Sequence, residues 1–175
     1  MKWTNLLTIP VIAMSLFSMN SMALPDDQDQ PIHITADTAS INDKTGITTY
    51  KGSVVITQGS ILIEADHVDM YRGDEGVEKL IALGKPAHFR QQPEVDSPFS
   101  DAWGLHILYM IDDEKLTLTR QAKVIQEQDT FTGEKIIYDL AKSIVDAFGT
   151  TDNSAADAEK GRVNMVIQPK SKNKE

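Results

Sequence analysis

The chain of 175 residues contains no cysteine. Disulfide stapling and thiol chemistry are therefore excluded, and the fold must rest on packing and backbone pairing. Basic residues are outnumbered, 17 against 26 acidic, for a formal net charge of −9. A chain of that balance lacks the clustered Lys and Arg that neutralise nucleic-acid phosphates, and an anionic membrane surface would repel it. The spacings that carry chemistry are missing too. His33, His67, His88 and His106 stand apart, with no H-x-H, H-x-x-H or H-E-x-x-H among them. Each has apolar neighbours one residue away, as an outward strand residue would. There is no G-x-S-x-G and no phosphate-cradling glycine loop, and the acids of Gly73-Asp74-Glu75-Gly76 would repel a phosphate. Asp66/Asp69 and Asp112/Asp113 offer paired carboxylates for acid–base work. However, Asp113-Glu114 reads as a turn, where acids serve backbone conformation, and Asp66 repeats the position of Asp37 and Glu134. No catalytic residue, metal site or cofactor is expected.

Only one long apolar run exists, and it is imperfect. Met1-Lys2 precedes a mostly apolar stretch from Trp3 to Met19, interrupted by Asn5, Pro10, Ser15 and Ser18. A membrane anchor needs about 20 clean apolar residues. Ser21-Met22-Ala23 then sets small residues at the minus-three and minus-one positions of a cleavage site, and Leu24-Pro25-Asp26-Asp27 follows. Residues 1–23 are expected as a cleaved signal peptide, with the mature chain starting at Leu24. About 150 residues remain, the size of one domain. Export without cysteine suits a bacterial periplasm.

What the mature chain has in abundance is period-two alternation. It runs through Ile32/Ile34, Ile61/Ile63, Val68/Met70, Ala87/Phe89, Leu105/Ile107/Tyr109/Ile111, Leu116/Leu118, Ile136/Tyr138, Ile144/Phe148 and Val163/Met165/Ile167. Turn formers separate these runs: Asn42–Gly46, Gln58–Ser60, Arg72–Gly76, Gly84–Pro86, Asp112–Glu114 and Thr132–Glu134. Short strands broken at such intervals indicate an all-β sandwich, barrel or roll. A short helix or loop is expected over Asn153–Lys160. A faint repeat supports the β reading. Ala36-Asp37-Thr38-Ala39-Ser40-Ile41 is echoed by Ala65-Asp66-His67-Val68-Asp69-Met70 and, more loosely, by Gly133-Glu134-Lys135-Ile136-Ile137-Tyr138. Each is followed by a turn and a returning strand, a hairpin-like unit whose apolar face needs neighbours to bury it. That inner face could be a dry core or an open apolar groove; periodicity alone does not separate the two.

Longer strings carry a resemblance. Gln30-Pro31-Ile32-His33-Ile34 with Ala36-Asp37, Tyr50 to Ser60, Ala65-Asp66 and Gly84-Lys85-Pro86-Ala87 resemble the OstA-like, LptA-type family of periplasmic lipopolysaccharide-transport bridge proteins. Ala122 to Glu127, Gly133 to Asp139 and Met165 to Lys170 resemble its pseudomonad-type branch. The likeness spans about Gln30 to Lys170, with specificity in the order and spacing of the strings. It implies a twisted, open β-jellyroll of short antiparallel strands, whose inside holds the acyl chains of lipid A. It also implies head-to-tail self-association between an inner-membrane LptC-type component and an outer-membrane LptD-type component. The lipid-binding positions so implied are Ile32, Ile34, Ile41, Phe89 and Tyr109, with Arg72 near the groove mouth; the turn Gly73–Glu78 departs from the family in length and composition. The expected organisation is a signal peptide over 1–23, a flexible lead over 24–30, one jellyroll domain over 31–169 and a basic tail over 170–175. A structural module of the cell envelope with a closed dry core is the competing reading.

Overall fold

The computed structural model describes residues 27–74, 76–94, 96–150 and 161–169. The expected signal peptide, the short helix or loop at 153–160 and the basic tail fall outside these. A 3₁₀ turn, Asp27–Asp29, precedes ten strands: β1 His33–Thr35, β2 Thr38–Asn42, β3 Ile47–Gln58, β4 Ile61–Gly73, β5 Gly76–Gln91, β6 Ser100–Met110, β7 Lys115–Gln126, β8 Asp129–Asp139, β9 Ile144–Phe148 and β10 Asn164–Val166. All belong to one antiparallel sheet, ordered β1-β3-β4-β5-β6-β7-β8-β10. β2 lies beside β1 on β3, and β9 beside β10 on β8. The sheet is open: β1 and β10 stand at opposite edges and do not pair.

A single sheet has two faces, and an apolar face must be covered. Here the sheet covers its own. The ladders of β3 through β8 shift register at one level, between Lys51 and Val54, Glu64 and His67, Leu83 and Ala87, Trp103 and His106, and Thr119 and Ala122. This row of irregularities is a bend line that divides the sheet into two leaves. Leaf A holds β1, β10 and the strand segments that meet at the Gln58–Ile61 and Gln91–Ser100 turns. Leaf B holds β2, β9 and the segments that meet at Gly73–Gly76 and Met110–Lys115. Residues from both leaves fill the space between them. Phe89 of leaf A meets Tyr109 of leaf B edge to face, with centroids 5.5 Å apart. Tyr138 of leaf B shares a hydrogen bond with Ser100 of leaf A. Val54, Ile56, Ile63, Ala87, Phe89 and Val124 on one side, and Val68, Ile107, Leu116, Leu118, Ile136 and Tyr138 on the other, are each at most 2% exposed.

The bend accounts for a defect in the alternation. Along β4 the inward positions pass from Ile61 and Ile63 to Val68 and Met70, along β5 from Leu80 and Ala82 to Ala87 and Phe89, and along β6 from Ala102 to Ile107 and Tyr109. Each passage reverses parity, because an odd number of extra residues is inserted at the bend, as in a β-bulge. In β3 and β7 an even insertion keeps parity, and its residues take left-handed backbone: Gly52 with Ser53 (φ 79° and 45°), and Arg120 with Gln121 (φ 62° and 56°). For the non-glycine residues that conformation costs about 1–2 kcal/mol apiece, a cost that core packing on both sides of the line must offset. At Gly52 no side chain fits, since an added Cβ would lie 2.0 Å from an Asp37 carboxylate oxygen.

If the core is formed by two leaves closing on each other, its centre should be far costlier to erode than its outside. Phe89→Ala is expected to lower unfolding stability by about 3–5 kcal/mol, whereas exposed His33→Ala should change it by less than about 0.5 kcal/mol. Urea unfolding followed by far-ultraviolet dichroism measures both; comparable small effects would contradict the packing.

Candidate functional site

Among the described residues the inner face is an apolar surface that runs from edge to edge of the sheet, so the site is built from it, its two open ends and its mouth. Cross-strand pairs lie on the same face, which places each expected position. Ile34 stands opposite Ile56, Ile41 opposite Thr48, Phe89 opposite Ile63 and Ala102, and Tyr109 opposite Leu80 and Leu116. All of these partners line the inside. Ile32 and Ile34 are half-buried against the core. Phe89 and Tyr109 are buried at its centre, 0% and 3% exposed. Ile41 is 63% exposed, because β2 is an edge strand and no described element covers its end of the inner face. Arg72 lies at the rim of leaf B, its Nη2 donating to Thr48 Oγ1 at 3.3 Å and standing 3.6 Å from Asp43. It thus sits beside the partner of Ile41, at the same open end. The four histidines occupy the outer face.

The opposite edge has the same character. Ile144, Phe148, Met165 and Val166 are exposed on β9 and β10, while Val145 and Ala147 turn inward against the core. Exposed apolar side chains on strands with free backbone groups form a pairing surface. Inside, polar atoms are few. Burial raises the pKa of the Tyr138 hydroxyl, against an opposing pull from Ser100. An uncharged hydroxyl in an apolar chamber is what remains.

The mouth is where the free tips of the two leaves approach. A cleft of 610 Å³ opens there between Gly59, Ser60, Gln91, Gln92 and Pro93 of leaf A and Glu114, Leu140 and Ala141 of leaf B, with Asp27 and Gln30 beside it. Residues 27–30, expected as part of a flexible lead, are instead fastened across the tips by hydrogen bonds. Only Gln58 signalled this in the sequence: it continues the inward series Val54, Ile56 with a polar side chain, 7% exposed. The reading of alternation also missed an outer-face cluster. His88 stacks on Trp103 at 4.9 Å, with Nδ1 3.0 Å from Glu64 and Nε2 2.6 Å from Asp101, and Arg90 Nε donates to Asp101 at 2.8 Å. Burial works to raise Asp101, but its hydrogen bonds to Arg90 and His88 outweigh that and hold the carboxyl below its usual range. The resulting stabilisation is full above the unfolded value of 3.8 and is lost as pH falls through the depressed folded one. This cluster braces leaf A from outside, away from the inner face.

Set beside known proteins, this architecture has clear counterparts. Residues 33–144 match the family model described as LptA/(LptD N-terminal domain) LPS transport protein. The chain belongs to this family. The lipopolysaccharide export system protein LptH of Pseudomonas aeruginosa is 41% identical over 98% of this chain and 99% of its own length. LptA of Escherichia coli K12 is 33% identical over 95% of this chain and 88% of its own. The crystal structure of LptH, described as the LptA homologous periplasmic component of the lipopolysaccharide transport device of P. aeruginosa, superposes with a TM-score of 0.75. It is 42% identical and covers 83% of this chain and all of that one. The all-β, open antiparallel architecture of this chain is therefore the family's fold.

Proposed function

We propose that this protein is a periplasmic carrier of lipopolysaccharide. In this reading the inner face shields the acyl chains of lipid A, and copies join head to tail between an LptC-type component of the inner membrane and an LptD-type component of the outer membrane. It acts as a conduit and performs no catalysis. The observation that carries the reading is an apolar inner face that ends, at both edges of the sheet, in strands with exposed apolar side chains whose outer edges pair with no described residue. Burial of each methylene is worth about 0.8 kcal/mol, so a dozen-carbon chain left in water costs about 10 kcal/mol. Crossing an aqueous compartment therefore needs an apolar track without gaps. The names of the relatives point to the same cargo.

The topology supplies a rule for joining the track. The path across the sheet holds eight strands, each antiparallel to its neighbour. With an even number, the first and last run in opposite directions. A second copy can therefore set its β1 and β2 against β10 and β9 of the first and continue the antiparallel order, leaf A on leaf A and leaf B on leaf B. Pairing of this kind is β-augmentation, and because it does not close on itself it builds a filament. The packed interior sets a condition. Phe89 and Tyr109 touch across the chamber, so a chain can lie between the leaves only if they part, exchanging side-chain contacts for contacts with lipid.

Two outcomes are expected. Photo-crosslinkers at Ile32, Ile34, Ile41, Phe89 and Tyr109 should capture lipopolysaccharide, whereas His33 and Asp43, on the outer face and in a turn, should not; equal capture at both sets would favour the closed dry module. Light scattering should show oligomers that grow with concentration without saturating. Truncation from Arg162, which removes β10, should abolish them and leave a β-rich monomer that still binds lipopolysaccharide. A full-length chain that stays monomeric at high concentration would overturn the head-to-tail joint.

A further inference from the structure

The segment 27–30 lies across the mouth, and its bonds to the two leaves differ in kind. To leaf A it is held by a carboxylate and by a buried amide. Asp27 accepts from the Ser60 backbone N–H at 2.7 Å, from Ser60 Oγ at 2.6 Å and from Gln91 Nε2 at 3.2 Å. Gln58 Nε2 donates to the carbonyls of Gln28 and Gln30, each at 3.0 Å. Gly59 makes room for this: its φ is +56°, and a Cβ there would come within 2.2 Å of an Asp27 carboxylate oxygen. To leaf B the segment reaches through Gln28, whose Nε2 donates to the Ile111 carbonyl at 3.2 Å. Hydrogen bonds to a charged acceptor are stronger than neutral ones, so the end on leaf A is the anchor and the end on leaf B is the catch. Beyond the crossing, the mouth continues as the open cleft beside Glu114, Leu140 and Ala141.

We infer that Asp27–Gln30 is a latch across the slit between the leaves, hinged on leaf A and released from leaf B when lipid passes. The inference rests on the carrier reading and adds how passage is controlled. An amphipath whose acyl chains lie between the leaves keeps its polar head outside, and the two are joined through the slit. Anything that spans the slit stands in the way of that junction as the lipid moves along the track. A strap from Asp27 on leaf A to the Ile111 carbonyl on leaf B is such an obstacle. It also ties together the two tips that must separate for the Phe89–Tyr109 contact to open. Loss of the neutral bond from Gln28 to Ile111 loosens the hold on leaf B while the Asp27 anchor on leaf A stays.

Because the chain has no cysteine, the latch can be locked after folding. In the double variant Gln28→Cys, Asp112→Cys, with position 112 exposed, the two thiols would be joined by a short cleavable cross-linker, and binding of fluorescent lipopolysaccharide followed by stopped flow. The locked protein is expected to take up lipid about tenfold more slowly than the same double variant without the linker. Cleaving the linker in the same sample should restore the rate, which separates gating from misfolding. A linker long enough to let the tips part should have little effect. Gln28→Ala, which removes the catch and leaves the anchor, should associate about fivefold faster, the net worth of one neutral hydrogen bond converted to a ratio. If wild-type protein binds lipopolysaccharide and the short lock leaves its rate unchanged, the latch is wrong and the carrier reading stands. If no form binds lipopolysaccharide, both fall together.

Discussion

One constraint governs this molecule: a single β-sheet with one apolar face has nothing to pack against but itself. With no helix among the described residues long enough to form a second layer, the inner face is buried only because the sheet bends along one line and folds leaf on leaf. That requirement explains the shared level of the register shifts in five ladders. It explains the left-handed residues Ser53, Arg120 and Gln121, whose strain would be lost if the bend relaxed. It also explains why the acid-bearing repeats exist. Asp37, Asp66 and Glu134 all lie at the bend, where the chain leaves one leaf and starts the other, and their place in the repeat is the start of a leaf B strand.

The same constraint links stability to function. Side chains that close the core, Phe89 against Tyr109 and Ser100 against Tyr138, are also those an acyl chain would meet. A carrier of this kind has no separate dry core to fall back on. Under the proposed carrier role the inner face that packs leaf on leaf would also be the face that meets lipid, while the cluster of His88, Asp101 and Trp103 lies on the outer face of leaf A, away from it. Open edges complete the logic. Strand edges that are an aggregation hazard elsewhere are here short, split at the bend and opposite in direction, which is the geometry that the proposed head-to-tail joint requires.

Much of this was legible in the sequence, because alternation survives in strands that have one wet and one dry face. Inward residues such as Ile34, Ile63, Val68, Phe89, Tyr109 and Leu118 fall in the alternating runs, whereas Leu80, Ala82, Ala102, Ala122 and Val124 were not picked out by alternation and Ile144 and Phe148 are exposed while Val145 and Ala147 turn inward. The length of the strands was not legible. β4 was read as two short runs, Ile61/Ile63 and Val68/Met70, which differ in parity, and in β5 only Ala87/Phe89 was read as alternating, with a turn expected at Gly84–Pro86 where the strand continues through the bend. Reversal of parity looks like a break when only local periodicity is considered; it takes the neighbouring ladders to show a bend. The strap was hidden for a different reason. Asp27, Gln28 and Gln30 are polar residues before the first strand, and their partners Ser60, Gln91 and Ile111 are distant in sequence. Nothing local distinguishes a fastened polar segment from a solvated one. Periodicity left a groove and a core equally open, and only the resemblance to the family favoured the groove.

The account stands or falls on whether the leaves part around lipid. Spin labels at outward-facing Thr57 on leaf A and Thr117 on leaf B report that separation directly by pulsed electron paramagnetic resonance. A longer distance on adding lipopolysaccharide, returning to the original value when the lipid is removed, is the predicted result. A distance distribution that stays unchanged at saturating lipopolysaccharide would mean that the interior remains closed and the cargo is carried elsewhere.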